Sequence, residues 1–130
     1  MILQALLEDL GSESTEVTVL FSDDLELKSL NSQFRGKDYP TDVLSFPLER
    51  KGYLGDLAIS VQTARKQAKK FDCRLHEEIL RLIIHGILHL EGFEHEGVSK
   101  SEAQKMKRKE IKLYNQVCKK WPKRFSLPLN

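Results

Sequence analysis

His85, His89 and His95 stand in the run His85-Gly-Ile-Leu-His-Leu-Glu-Gly-Phe-Glu-His95. Residues four apart on a helix lie one turn apart on the same face. Two imidazole nitrogens so placed can reach one ion at ~2.0–2.1 Å. Gly92 follows His89 by three positions, where a glycine lets the chain leave a helix and reverse. His95 can then offer a third nitrogen from the other side. Three histidines with an open fourth position describe a catalytic zinc site rather than a closed structural one. The cysteines, Cys73 and Cys118, lie too far off in sequence to close it and form no CxxC pair. His76 falls on a more polar stretch upstream and is read as a bystander.

The spacing matches the zinc-protease pattern HExxHxxGxxH except at one position. In those enzymes the glutamate after the first histidine is the general base. Here that position is Gly86, so a peptidase would have to find its base elsewhere. Zinc alone can lower the pKa of bound water to ~7 and can polarise a phosphoryl oxygen. With a cation nearby, that chemistry suits phosphodiester cleavage, where negative charge builds up. Arg35 and Lys37 lie in a polar stretch before the apolar run Val43–Phe46. Arg35 has two readings: a planar fork on phosphate, or a partner for Asp38 or Asp42. Glu91 and Glu94 flank the turn, either as partners to the ligand imidazoles or as exposed acids. Met106 resembles the methionine of a metzincin turn, but its helical setting favours core packing.

These residues must be positioned by a small number of elements. Leu3, Leu6, Leu7 and Leu10 mark a first helix closed by Gly11. Val17, Val19 and Phe21 alternate as in a strand. Ser22 can cap a helix whose face carries Leu27, Leu30, Asn31 and Phe34. Val43–Phe46 and Leu54–Ser60 read as strands of a hairpin around Arg50–Gly52. Ser60 can cap a helix to about Asp72, with Val61, Ala64, Ala68 and Phe71 inward. A helix from about His76 to Leu90 is apolar nearly all round, so it belongs at the centre. Ser99 and Glu102 fit a capping box for a last helix, with Ala103, Met106, Glu110, Leu113 and Val117 inward. The expected fold is α+β: a small mixed β-sheet packed with about five helices around a central buried metal-binding helix that carries a metzincin-like zinc motif.

The chain has 130 residues, 40% apolar and 31% charged. That suits a single domain over 1–130 with a loose tail over about 121–130, argues against disorder, and needs no disulfide framework. Met1–Leu10 has no basic residue and is broken by Glu8 and Asp9, so no signal peptide is expected. No apolar run approaches the ~20 residues of a membrane span. The expectation is a cytoplasmic protein with reduced cysteines. Net charge is +2, but unevenly spread. From Lys100 onward, ten basic and two acidic residues leave +8, against −6 on the first 99. Such a basic third is either a solvated lysine face or a surface for a polyanion such as RNA.

Three blocks resemble the YbeY-type endoribonuclease family. One runs from Leu30-Asn31 and Phe34-Arg35-Gly-Lys-Asp into Pro40-Thr-Asp-Val-Leu-Ser-Phe-Pro47. The second is Leu54-Gly-Asp-Leu-Ala-Ile-Ser60, and the third is the histidine segment. In that family the position of Gly86 is glycine as well. The resemblance implies a zinc-dependent, single-strand-specific endoribonuclease. It implies a role in 16S rRNA 3′-end maturation, small-subunit biogenesis and quality control. One Zn²⁺ per chain would sit on His85, His89 and His95. Arg35 and His85 would serve catalysis, and Arg35 with Lys37 would bind substrate. Expected partners are single-stranded RNA, the small ribosomal subunit and its assembly factors, with neither DNA nor membrane. The alternatives are a zinc metallopeptidase and a non-enzymatic, metal-stabilised ribosome-assembly factor. The family usually has Tyr and Asp where this chain has Phe93 and Glu94.

Overall fold

Alternating apolar residues make β1 (Glu16–Ser22), with Val17, Val19 and Phe21 packed on the core and their neighbours outward. The computed structural model describes residues 16–95 and 97–120. Asp23 caps the next helix, α1 (Asp24–Arg35), by accepting from the Glu26 N–H at 2.9 Å. Ser22, the cap expected from sequence, instead ends β1 and pairs with Ser60. Gly36 closes α1 with φ +67°, a left-handed turn that favours glycine.

The strands β2 (Val43–Arg50) and β3 (Tyr53–Ser60) form the expected antiparallel hairpin. Strand β1 runs parallel to β3, so the sheet order is β1-β3-β2 and β3 is central. Period two then divides β3 between two layers. Leu57 and Ile59 face the larger core, while Ala58 faces Leu27 of α1 and Leu44 of β2.

Ser60 ends β3 and caps α2 (Val61–Lys70), accepting from the Thr63 N–H at 3.2 Å. Ala64 and Ala68 are buried as expected, but Phe71 is 58% exposed. The helix stops at Lys70, so Phe71 leaves the inward face and lies under the Lys70 ammonium. The central helix is α3 (Leu75–Leu90), whose Ile79, Leu82, Ile83 and Ile87 are buried. Gly92, at φ +99°, reverses the chain beyond it, with the Phe93 N–H returning to the Leu88 carbonyl at 3.0 Å. Ser99 caps α4 (Lys100–Lys120), accepting from the Glu102 N–H. Met106, Leu113 and Val117 bury its inner face. Met106 is thus a core residue.

The fold is α+β with a mixed sheet, and four helices lie among the described residues. The helix expected over Leu3–Leu10 and the tail from Trp121 lie outside them. No helix among the described residues is long and apolar enough to cross a membrane.

Gly86 sets how closely α3 approaches the sheet. A Cβ there would stand 2.7 Å from Cδ2 and 3.1 Å from Cδ1 of Leu57, which is itself buried. Its carbonyl accepts from the Ser45 hydroxyl, tying α3 to β2. The position after His85 therefore faces β3 and has no room for a side chain. Gly86→Glu should cost more than about 3 kcal/mol, through overpacking and an unpaired buried carboxylate. Calorimetry of the purified variant checks this. A melting temperature equal to the parent's would mean that the helix can lift off the sheet.

Candidate functional site

Helix α3 brings His85 and His89 to one face, one turn apart. The Gly92 turn brings His95 back over them. One ring nitrogen from each of the three lies within 4.8 Å of the others. The ring centroids are 4.6 Å apart for His85–His89 and 5.0 Å for each ring to His95.

Hydrogen bonding orients two of the rings. His89 Nδ1 is 2.9 Å from the Phe93 carbonyl oxygen. His85 Nδ1 is 3.0 Å from Oε2 of Glu110. A carbonyl oxygen and a carboxylate only accept, so each Nδ1 carries the hydrogen and donates. In the neutral rings both Nε2 atoms then have a bare lone pair, and these two atoms are 3.1 Å apart. Facing lone pairs at that distance repel unless a positive charge lies between them. Burial, and next the neighbouring His85, push the His89 imidazole below its ordinary pKa, which disfavours a proton on that ring. A metal ion fits better: two nitrogens ~2.0–2.1 Å from a tetrahedral ion stand roughly 3.3 Å apart. The three histidines can hold a metal ion.

Glu110 was expected on the inner face of the last helix but was not expected at the site. It is 5% exposed. Burial works to raise its carboxyl, but the hydrogen bond from His85, with the positive charges of Arg81 and Lys107, holds it below the ordinary carboxylate value. Arg81 was missed as well. Its Nη1 lies 3.4 Å from Glu110 Oε1, while its Nε and Nη2 form a two-pronged pair with buried Glu78 at 2.8 and 2.6 Å. Gln67 of α2 also donates to Glu78.

The histidines open on a cavity of about 700 Å³. Arg35, Thr41, Asp42, Ser45, Arg81 and Glu94 are among its lining residues. Arg35 reaches it from the last turn of α1. The loop that follows is held by Asn31, whose side-chain amide donates to the Tyr39 carbonyl at 2.9 Å. Asp42 accepts from the Val43 N–H at 2.8 Å and from the Thr41 hydroxyl. Lys37 is half-buried and is not among the lining residues. Glu94 lines the cavity with an oxygen 3.4 Å from His89 Nδ1, whereas Glu91 is exposed outside it.

Comparison with known proteins places the chain. A family model described as endoribonuclease YbeY matches residues 1–118. An endoribonuclease YbeY of Persephonella marina is 47% identical over 109 residues, covering 79% of this chain and 71% of that protein. One from Aquifex aeolicus is 50% identical over 94 residues, covering 69% of this chain and 63% of that protein. The solution structure of TM1509 from Thermotoga maritima superposes with a TM-score of 0.67 at 33% identity. It covers 93% of this chain and 79% of that one. The chain belongs to the endoribonuclease YbeY family.

Proposed function

We propose that this chain is a zinc-dependent, single-strand-specific endoribonuclease of the cytoplasm. Its role is rRNA processing, including 16S rRNA 3′-end maturation, with small-subunit biogenesis and quality control. The reading rests above all on two bare Nε2 atoms 3.1 Å apart, with His95 beside them and Arg35 in the same cavity. The names of its relatives supply the substrate class.

The hydrolase is one domain over residues 1–130. His85, His89 and His95 hold the zinc. Bound there, zinc supplies Lewis-acid chemistry, polarising a phosphoryl oxygen and making hydroxide available near neutral pH. Glu110 and the Phe93 carbonyl keep the Nδ1 protons of His85 and His89 in place. Arg35 pairs with the non-bridging oxygens of the scissile phosphate and stabilises charge as it builds. Lys37, outside the cavity, meets a neighbouring phosphate of the same strand. The exposed lysines of α4 bind the RNA backbone or rRNA of the small subunit and its assembly intermediates. A peptidase reading is disfavoured by Gly86, which faces β3 and offers no base.

The purified parent should carry about one zinc per chain and cut a single-stranded RNA oligomer, but not casein. His89→Ala should lose both the zinc and the cutting. Arg35→Ala should keep the zinc and lose about 100-fold or more in kcat. A parent that takes up no zinc overturns the metal centre, and undiminished cutting by Arg35→Ala overturns the phosphate role. If Arg35→Glu and His85→Ala abolish cutting yet still support 16S maturation, the cellular role is binding rather than cleavage.

Changing Lys107, Lys109 and Lys112 to Glu should weaken RNA binding. It should also flatten the log–log salt dependence by about 0.7 per lost phosphate contact. Fluorescence anisotropy at several salt concentrations reads this. An unchanged slope makes the lysine face merely solvated.

A further inference from the structure

Glu110 stands 25 residues after His85 and outside the histidine motif. We propose that Glu110 is a positioning residue for the metal centre, and that Arg81, anchored by Glu78, is the group that aims it. The proposal rests on the metal reading above.

The geometry is a chain of charge-assisted contacts. One Glu110 oxygen receives the His85 Nδ1 hydrogen at 3.0 Å, and the other faces Arg81 Nη1 at 3.4 Å. Arg81 is held in turn by both oxygens of Glu78, whose side chain is 1% exposed. Gln67 donates to Glu78 from α2. The chain thus joins α2, α3 and α4 and ends on a ligand imidazole. Met106 and Leu113, about one turn before and one turn after Glu110, are both fully buried and fix its backbone. A carboxylate on Nδ1 fixes the ring tautomer, turns Nε2 to the metal and makes that nitrogen a better donor. Glu78, Arg81 and Glu110 together carry one negative charge beside the site. That suits a divalent cation.

A bare ion pair between α3 and α4 would leave the same contacts, so the test separates the two roles. Glu110→Gln keeps the shape and removes the charge. Zinc affinity is measured by competition with a chromophoric chelator, and the stability of the metal-free protein by thermal melting. Positioning predicts affinity weakened about 10- to 100-fold, with rescue towards the parent value in Glu110→Asp. Arg81→Met, which removes the contact to Glu110, should weaken affinity in the same direction. A metal-free form that melts lower while zinc affinity stays at the parent value overturns the proposal. If Glu110→Gln fails to fold, nitrogen-15 NMR of the metal-free parent decides. His85 is expected as the Nδ1–H tautomer, and an Nε2–H tautomer overturns the proposal. A parent that binds no zinc sinks the metal reading itself, whereas normal binding by both parent and Glu110→Gln sinks only the positioning role.

Discussion

Two imidazole Nε2 atoms are held 3.1 Å apart at the mouth of a cavity. The rest of the structure bears on how that arrangement is sustained. Left alone, the pair would relax by rotating one ring. Neither ring can do so cheaply, because each Nδ1–H is committed to an acceptor: the Phe93 carbonyl for His89 and the Glu110 carboxylate for His85. The Phe93 carbonyl is in place because Gly92 turns the chain back, and the same turn delivers His95. One left-handed residue therefore does two jobs, orienting the His89 ring and bringing in His95.

Close packing of α3 against β3 is the second constraint. Leu57 fills the space where a side chain at position 86 would stand. The helix can carry its histidines on one side only by being bare at Gly86 on the other. In the peptidase pattern the residue after the first histidine reaches the reacting centre. Here that position is consumed by the helix–sheet contact. The reaction must draw its polar groups from other elements, and the cavity supplies Arg35 from α1, Thr41 and Asp42 from the segment before β2, and Ser45 from β2 itself.

What could be read in the sequence followed periodicity and turn chemistry. Histidines at i and i+4, the Gly92 turn, the alternation in β1 and the Ser60 and Ser99 caps are local signals, and each appears at its expected place. Local ambiguity explains the small errors. Ser22 and Asp23 are both good caps, and strand pairing with Ser60 decided between them. Phe71 continued an apolar stripe that the helix end interrupts. Glu110 and Arg81 are a different matter, because their roles depend on how α4 crosses α3. A signal existed nonetheless. Glu110 lies on a helix face shared with Met106, Leu113 and Val117, and Glu78 sits within the apolar α3. A carboxylate on a buried face is costly unless it is paired. Two such acids, with Arg81 three residues after one of them, called for a buried ionic network.

That network also sets the two arginines of the cavity apart. Arg81 gives three of its nitrogens to Glu78 and Glu110, so its charge is already balanced by carboxylates within the fold. Removing a partner from such a buried group is expensive, so a phosphate cannot draw Arg81 away without exposing two acids. Arg35 stands in a different part of the fold. It sits in an exposed last turn of α1, above a loop pinned by Asn31, and reaches the cavity from the opposite element. A cation that must meet and release a polyanion on each turnover belongs at such a position, where solvent can replace its contacts. One arginine is thus held by acids of the fold while the other stands on an exposed turn, although both border the same space.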